Sequence, residues 1–137
     1  MSSREYPDFV KFQLPAILWM GLIFTLSSIP GSAFAPLEFN YAHFIAHMIL
    51  FGTLYYLGYR ALRFQTYSKF MREFSLLAAL FFVMLYGASD EYHQSFTPGR
   101  QEELANFLWD VSAAVIVLLV VMVTEKVRQN RKKSGAK

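Results

Sequence analysis

Residues 104–124 read LANFLWDVSAAVIVLLVVMVT, and one side chain in that run ionises, Asp110. A helix of that length, rising about 1.5 Å per residue, matches a hydrocarbon core about 30 Å thick. Three further apolar runs, about 12–29, 41–62 and 73–91, have similar length. The helix of a soluble domain carries a polar stripe on its outer face, and these runs largely lack one. The expected fold class is all-α: a membrane-spanning four-helix bundle forming a single domain over residues 1–137, with a basic tail at 125–137.

Composition agrees. The 137 residues are 55% hydrophobic and 18% aromatic, and the mean hydropathy is +0.30. Without cysteine there is no disulfide framework and no thiolate nucleophile or metal ligand. Pro30-Gly31 closes the first run with a turn signal. Ala33-Phe34-Ala35 has the small-x-small form of a signal-peptidase site. The run before it is long for a signal core, and its flank is mixed in charge (Arg4, Glu5, Asp8, Lys11), so a retained helix is expected.

The basic residues are distributed unevenly. All but one of the 13 fall at the amino terminus (Arg4, Lys11), between the second and third runs (Arg60, Arg63, Lys69, Arg72), or in the tail (Lys126, Arg128, Arg131, Lys132, Lys133, Lys137). Basic flanks stay cytoplasmic. Both termini are therefore expected inside, and Arg100, the remaining basic residue, outside. In a bacterium the expected location is the inner (cytoplasmic) membrane, with the outer end toward the periplasm or cell-wall space. The tail reads as a topology signal attracted to anionic lipid, and no nucleic-acid partner is expected.

The outer end holds the chemistry. Asp90-Glu91-Tyr92-His93-Gln94-Ser95-Phe96-Thr97-Pro98-Gly99-Arg100 leaves the third run, and Asn106 and Asp110 lie in the first turns of the fourth. His43 and His47, four apart, share one face at the start of the second. Ionisable groups at membrane depth cost about 2.5–3.5 kcal/mol each on insertion scales, so such groups are site candidates. All three histidines and six of the ten acidic residues collect here. A helix N-terminus favours Asp110, whereas a C-terminus disfavours Asp90 and Glu91. Arg100, swung back by Pro98-Gly99, or a protonated His93 is expected to compensate them, with bidentate guanidinium–carboxylate pairing as the expected geometry.

These residues supply the candidate sets. His43, Glu91, His93 and Asp110 are candidates for acid–base work. Asp90, Glu91, Gln94, Arg100, Asn106 and Asp110 are candidates for binding a ligand. His43, His47 and His93 with a carboxylate would suit zinc in donor type. The competing structural reading is that such groups satisfy one another and fix helix packing. Tyr41, Phe44, Tyr92, Phe96, Phe107 and Trp109 read as an aromatic belt. Gly21, Gly52, Gly58, Gly87, Ala88, Ala113 and Ala114 read as helix-contact positions. There is no His-Glu-x-x-His, Gly-x-Ser-x-Gly or Gly-rich phosphate loop.

The motif Asp90-Glu91-x-His93-Gln94-x-Phe96-x-Pro98-Gly99-Arg100, with Asn106 and Asp110 after it, resembles the VanZ-like membrane proteins. Ile23-Phe24-x-x-Ser27-Ser28-x-Pro30 and Ala42-His43-Phe44 extend the resemblance over about 23–114. It retains His43, Glu91, Gln94, Arg100 and Asp110. It departs at His47, where an aromatic residue is common, and at Asn106, where Asp is common. The resemblance implies a compact multi-pass bundle in the cell envelope and a link to low-level resistance to teicoplanin, a lipid-tailed glycopeptide. The expected function is binding or modifying a lipid-linked or lipid-tailed molecule in an outward polar pocket, with membrane lipids or an envelope intermediate as partner. The alternative is an intramembrane hydrolase or transferase using the same His, Glu, Asp and Arg residues, with or without a metal. Transport ranks last, because the cytoplasmic halves of the runs hold few polar residues and four short helices would need an oligomer to form a pathway.

Overall fold

Pro15 decides where the first helix becomes regular. It has no N–H to offer the Lys11 carbonyl, and its ring crowds that carbonyl. The preceding turn, Phe9–Gln13, is wound as a π-helix closed by the Leu14 N–H on the Phe9 carbonyl. Helix α1 then runs over Leu14–Ser27. The computed structural model describes residues 8–34, 40–100 and 103–135, and every regular element among them is helical. A 3-10 turn, Gly31–Phe34, is followed by α2 (Asn40–Arg63), the short α3 (Lys69–Glu73), α4 (Ser75–Gln94) and α5 (Leu104–Ser134). Glu38 and Glu102 of the expected acidic layer lie outside the described residues, as do Arg4, Glu5, Ala35 and Lys137.

Two boundaries differ from the sequence reading in ways that matter. Helix α4 continues past Glu91 to Gln94, so Asp90, Glu91, His93 and Gln94 all ride its last turns. Helix α5 runs on through the basic tail to Ser134. The tail's Glu, Lys, Arg and Gln are good helix formers, and the helix stops at Gly135, whose N–H bonds the Arg131 carbonyl. Helix α3 occupies a stretch expected as loop. Ser68 caps it by accepting the Met71 N–H at 3.2 Å.

Helix α2 is the hub, packed on α1, α4 and α5, and α4 packs on α5 as well. The core is Ile23 from α1, Phe51, Leu54, Tyr55 and Tyr59 from α2, Ala79 and Val83 from α4, and Ala113, Ala114 and Val121 from α5. Small residues allow close approach where expected at Gly52, which faces Val117 and Ala113, and at Gly87, which faces Asp110 and Phe51. Gly21 differs: a side chain there would meet nothing within 4 Å. Ala88 is exposed as well. Buried polar tips are tied to backbone across helices. Trp19 Nε1 donates to the Leu50 carbonyl at 2.8 Å, Tyr86 Oη to Met20 at 2.7 Å, and Tyr55 Oη to Leu76 at 3.1 Å.

The outward faces are apolar. Ile17, Leu18, Phe24, Leu77, Phe81, Leu85, Ile116, Leu119, Val120 and Val123 are all more than half exposed. Two helical stretches, Phe9–Ser27 and Leu104–Ser134, are long and apolar enough to cross a membrane. The other two expected spans are more polar along their length. Helix α2 carries His43, His47 and several tyrosines, and α4 ends in Asp90, Glu91, His93 and Gln94.

Candidate functional site

The site begins where α1 stops. Pro30 cannot continue the helix, so the last carbonyls of α1 need donors from elsewhere. The segment after α4 supplies them. Arg100 donates through Nη2 to the Leu26 carbonyl and through Nε to the Ile29 carbonyl, both at 3.3 Å. Thr97 Oγ1 donates to the Ser27 carbonyl at 3.3 Å. A cation at this position also suits the negative end of the α1 dipole. The fit is tight at two glycines. The Gly31 N–H donates to the Pro98 carbonyl at 3.0 Å, and a Cβ on Gly31 would lie 1.9 Å from the Gly99 carbonyl oxygen. Gly99 itself has φ +73°, the left-handed region that other residues adopt only at a cost.

Asp90 is buried beneath that turn and fully engaged. Ser27 Oγ donates to its Oδ1 at 2.5 Å, and Gln94 Nε2 donates to its Oδ2 at 2.9 Å. Arg100 Nη1 donates to Gln94 Oε1 at 3.4 Å. Gln94 therefore bridges Arg100 and Asp90, in place of the bidentate pair expected from the sequence. The reason is geometric: α4 extends one more turn, which inserts the Gln94 amide between the two charges. Burial lowers the Arg100 pKa, and Asp90 and then Glu91 pull it back up. A guanidinium stays charged under such influences.

A second carboxylate cluster lies deeper, between α2, α4 and α5. His47 Nδ1 and Asp110 Oδ1 are 2.7 Å apart, with Asp110 only 1% exposed. Glu91 Oε2 accepts the Glu103 N–H at 2.9 Å, and the Asn106 amide sits beside the same carboxylate. Phe51 stacks along His47, and Trp109 meets it edge-on, each with centroids 6.0 Å away. Gly87 makes room for the cluster, since a Cβ there would press on Asp110 Oδ2 at 3.3 Å. Donor atoms of His47, Glu91 and Asp110 all lie within 4.8 Å of one another. Among the described residues, Glu91 Oε1 and Asp110 Oδ2 are buried without a hydrogen-bond partner.

A cavity of about 240 Å³ opens beside both clusters. Its polar lining is Ser27, His43, His47, Asp90, Gln94 and Arg100, and its apolar lining includes Ile23, Leu26, Leu50 and Phe51. A second recess, lined by Ala88, Glu91, Glu103, Leu104 and Phe107, lies on the far side of Glu91.

The sequence-derived sets are thus regrouped. Asp90, Gln94 and Arg100 form one network with Ser27. Glu91, Asn106 and Asp110 form another with His47. His43 is on the exposed part of the cavity rim. His93 turns away from both networks, with Nε2 3.0 Å from Ser28 Oγ and its ring stacked on Phe24 at 4.5 Å. The three-histidine metal set therefore does not come together, because His93 points along α1 while His47 points at α5. A His/Glu/Asp set at metal-binding distance is formed instead. Two participants were missed as site residues, Ser27 and the Glu103 backbone. A serine in the last turn of a helix closed by Pro30 was the available signal for the first, but a backbone donor leaves no trace in residue type.

Comparison with family models, with curated proteins and with solved structures finds no match in any of the three. The resemblance to VanZ-like proteins therefore rests on the motif residues alone.

Proposed function

We propose that this is an integral membrane protein of the bacterial cell envelope that holds the polar head of a lipid-linked or lipid-tailed molecule in the cavity between α1, α2 and α4. The single observation that carries the reading is the mixed lining of that cavity. Charged and hydrogen-bonding groups (His43, Asp90, Gln94, Arg100) stand next to Ile23, Leu26, Leu50 and Phe51, and the outer faces of the neighbouring helices are apolar. An amphiphile needs both surfaces in that order. Four spans with both termini in the cytoplasm is the topology proposed. It is supported by two helices of spanning length, by exposed apolar side chains along α4 and α5, and by the basic residues at the end opposite the cavity. Contiguous exposed apolar surface on this scale marks a membrane or partner contact.

The test is a block placed in the cavity. Ala46 lines it and takes no part in either carboxylate network. Ala46→Phe should abolish co-purification of a bound amphiphile, read by native mass spectrometry from detergent. It should also remove any protection against a lipid-tailed glycopeptide such as teicoplanin, the phenotype that the family resemblance implies. An unchanged lipid complement and unchanged susceptibility would rule the reading out.

A second reading, an intramembrane hydrolase or transferase on a lipid-linked substrate, is favoured by one observation. The buried His47–Asp110 pair at 2.7 Å, adjoining the cavity, has the form of a base held by a carboxylate. In that case His47→Gln should leave amphiphile binding intact and stop turnover of the bound molecule.

A further inference from the structure

We propose that His47, Glu91 and Asp110 form a binding site for a single divalent transition-metal ion, with zinc the best match in donor type. The inference goes beyond head-group binding and does not depend on it. Three side chains from three different helices bring donor atoms within 4.8 Å of one another. Donors about 2.1 Å from a tetrahedral ion lie about 3.4 Å apart, so small side-chain rotations complete the geometry.

Three observations separate this cluster from an ordinary group of buried acids. First, two carboxylate oxygens, Glu91 Oε1 and Asp110 Oδ2, are buried with no hydrogen-bond partner among the described residues. Their side chains are more than nine-tenths buried. Asp90, a short distance away, has both oxygens engaged. An orphaned buried carboxylate oxygen costs the full desolvation of that atom, and a cation bound between the two would remove the cost for both. Second, the charges do not balance. Two carboxylates face one imidazole within the cluster, and burying charge without a matched partner is unfavourable. A divalent ion with neutral His47 cancels it. Third, the outer contacts already have the form of ligand supports. The Glu103 N–H holds Glu91 Oε2, the Asn106 amide flanks that carboxylate, and Phe51 and Trp109 hold the His47 ring. Groups of this kind orient first ligands and tune affinity.

The donor set selects the ion. One imidazole and two carboxylates suit zinc, whereas magnesium and calcium take oxygen donors and retain water. Three protein ligands leave a fourth position for water or for an atom of a molecule in the adjoining cavity, which His47 also lines.

The experiment uses the full chain purified in detergent, stripped with chelator and titrated with Zn²⁺ against a chromogenic competitor. One zinc per chain is expected, undisturbed by millimolar Mg²⁺, together with a zinc-dependent rise in the unfolding temperature, since a ligand of the native state stabilises it by mass action. Asp110→Asn and Glu91→Gln, both near-isosteric, should each weaken zinc at least 100-fold while the helical circular dichroism is kept. His93→Ala should leave affinity unchanged, which excludes a set built on all three histidines. Less than a tenth of a zinc per chain, with no thermal shift, would overturn the proposal in favour of a proton shared between Glu91 and Asp110. So would equal affinity in wild type and Asp110→Asn. Neither result bears on amphiphile binding, which Ala46→Phe reads separately.

Discussion

Asp90 and Asp110 are both buried aspartates at one end of the same bundle, and their surroundings differ in kind. Asp90 accepts from Ser27 and Gln94 and sits beneath a turn whose own groups are taken up by the end of α1. Asp110 has one oxygen on His47 and the other without a partner among the described residues. A fully satisfied polar network rigidifies the fold around it, whereas a partly satisfied one has room for a water, an ion or a ligand. The contrast separates the outer end into a structural part, Ser27–Asp90–Gln94–Arg100, and a part left with unpartnered oxygens, His47–Glu91–Asp110. One continuous stretch of sequence, Asp90-Glu91, contributes to both.

The comparison can be broken by substitution, reading equilibrium unfolding of the metal-free protein in one detergent throughout. The largest effect belongs to the docking of the turn that covers Asp90. Gly31→Ala puts a methyl into the Gly99 carbonyl and should cost about 3 kcal/mol, the upper end of overpacking penalties. A loss below about 1 kcal/mol would mean the turn is not seated on α1 as described. Next is Asp90→Asn, which sets an amide N–H₂ against one of the two donors, Ser27 Oγ–H or the Gln94 amide, and should cost about 2 kcal/mol. A neutral result there would remove Asp90 from the structural part. Gly99→Ala, at φ +73°, should cost about 1 kcal/mol because the turn itself survives with a strained residue. A gain in stability would contradict the left-handed conformation.

Smallest of all should be Asp110→Asn. The amide oxygen can keep the His47 contact while the amide nitrogen replaces Oδ2, which has no partner among the described residues, so the change should stay within about 0.5 kcal/mol of wild type. A penalty equal to that of Asp90→Asn would erase the distinction between the two aspartates and make the whole outer layer structural. The same substitution then has opposite rank in two assays: least in stability, and among the greatest in zinc affinity.

Much of the helical framework was legible in the chain. Long apolar runs bounded by Pro30-Gly31 and by the polar stretch 90–103 read as helices, and helices form over them. The reason is local, since a helix satisfies its own backbone bonds and its length follows from composition. The extra turn of α4 was not legible, because Tyr92, His93 and Gln94 carry no stop signal and no strong helix preference. Gly21 was misread as a contact for a similar reason: a small residue permits close approach but does not say which neighbour arrives. The spacing of His43 and His47 put both on one face of α2, yet only His47 meets Asp110, since four residues along a helix is about 6 Å and the facing helix crosses at one level.

Residue order alone therefore determined roughly where the four long helices lie, and that the three histidines and most of the acidic residues fall at one end. Those properties depend on neighbours within a few positions. The division of that chemistry was decided only when α1, α2, α4 and α5 packed together. Ser27 and Asp90 are 63 residues apart, as are His47 and Asp110, and no local rule pairs them. Helix packing brought each carboxylate to its donors, and it left Glu91 and Asp110 each with an oxygen that the described protein groups do not satisfy.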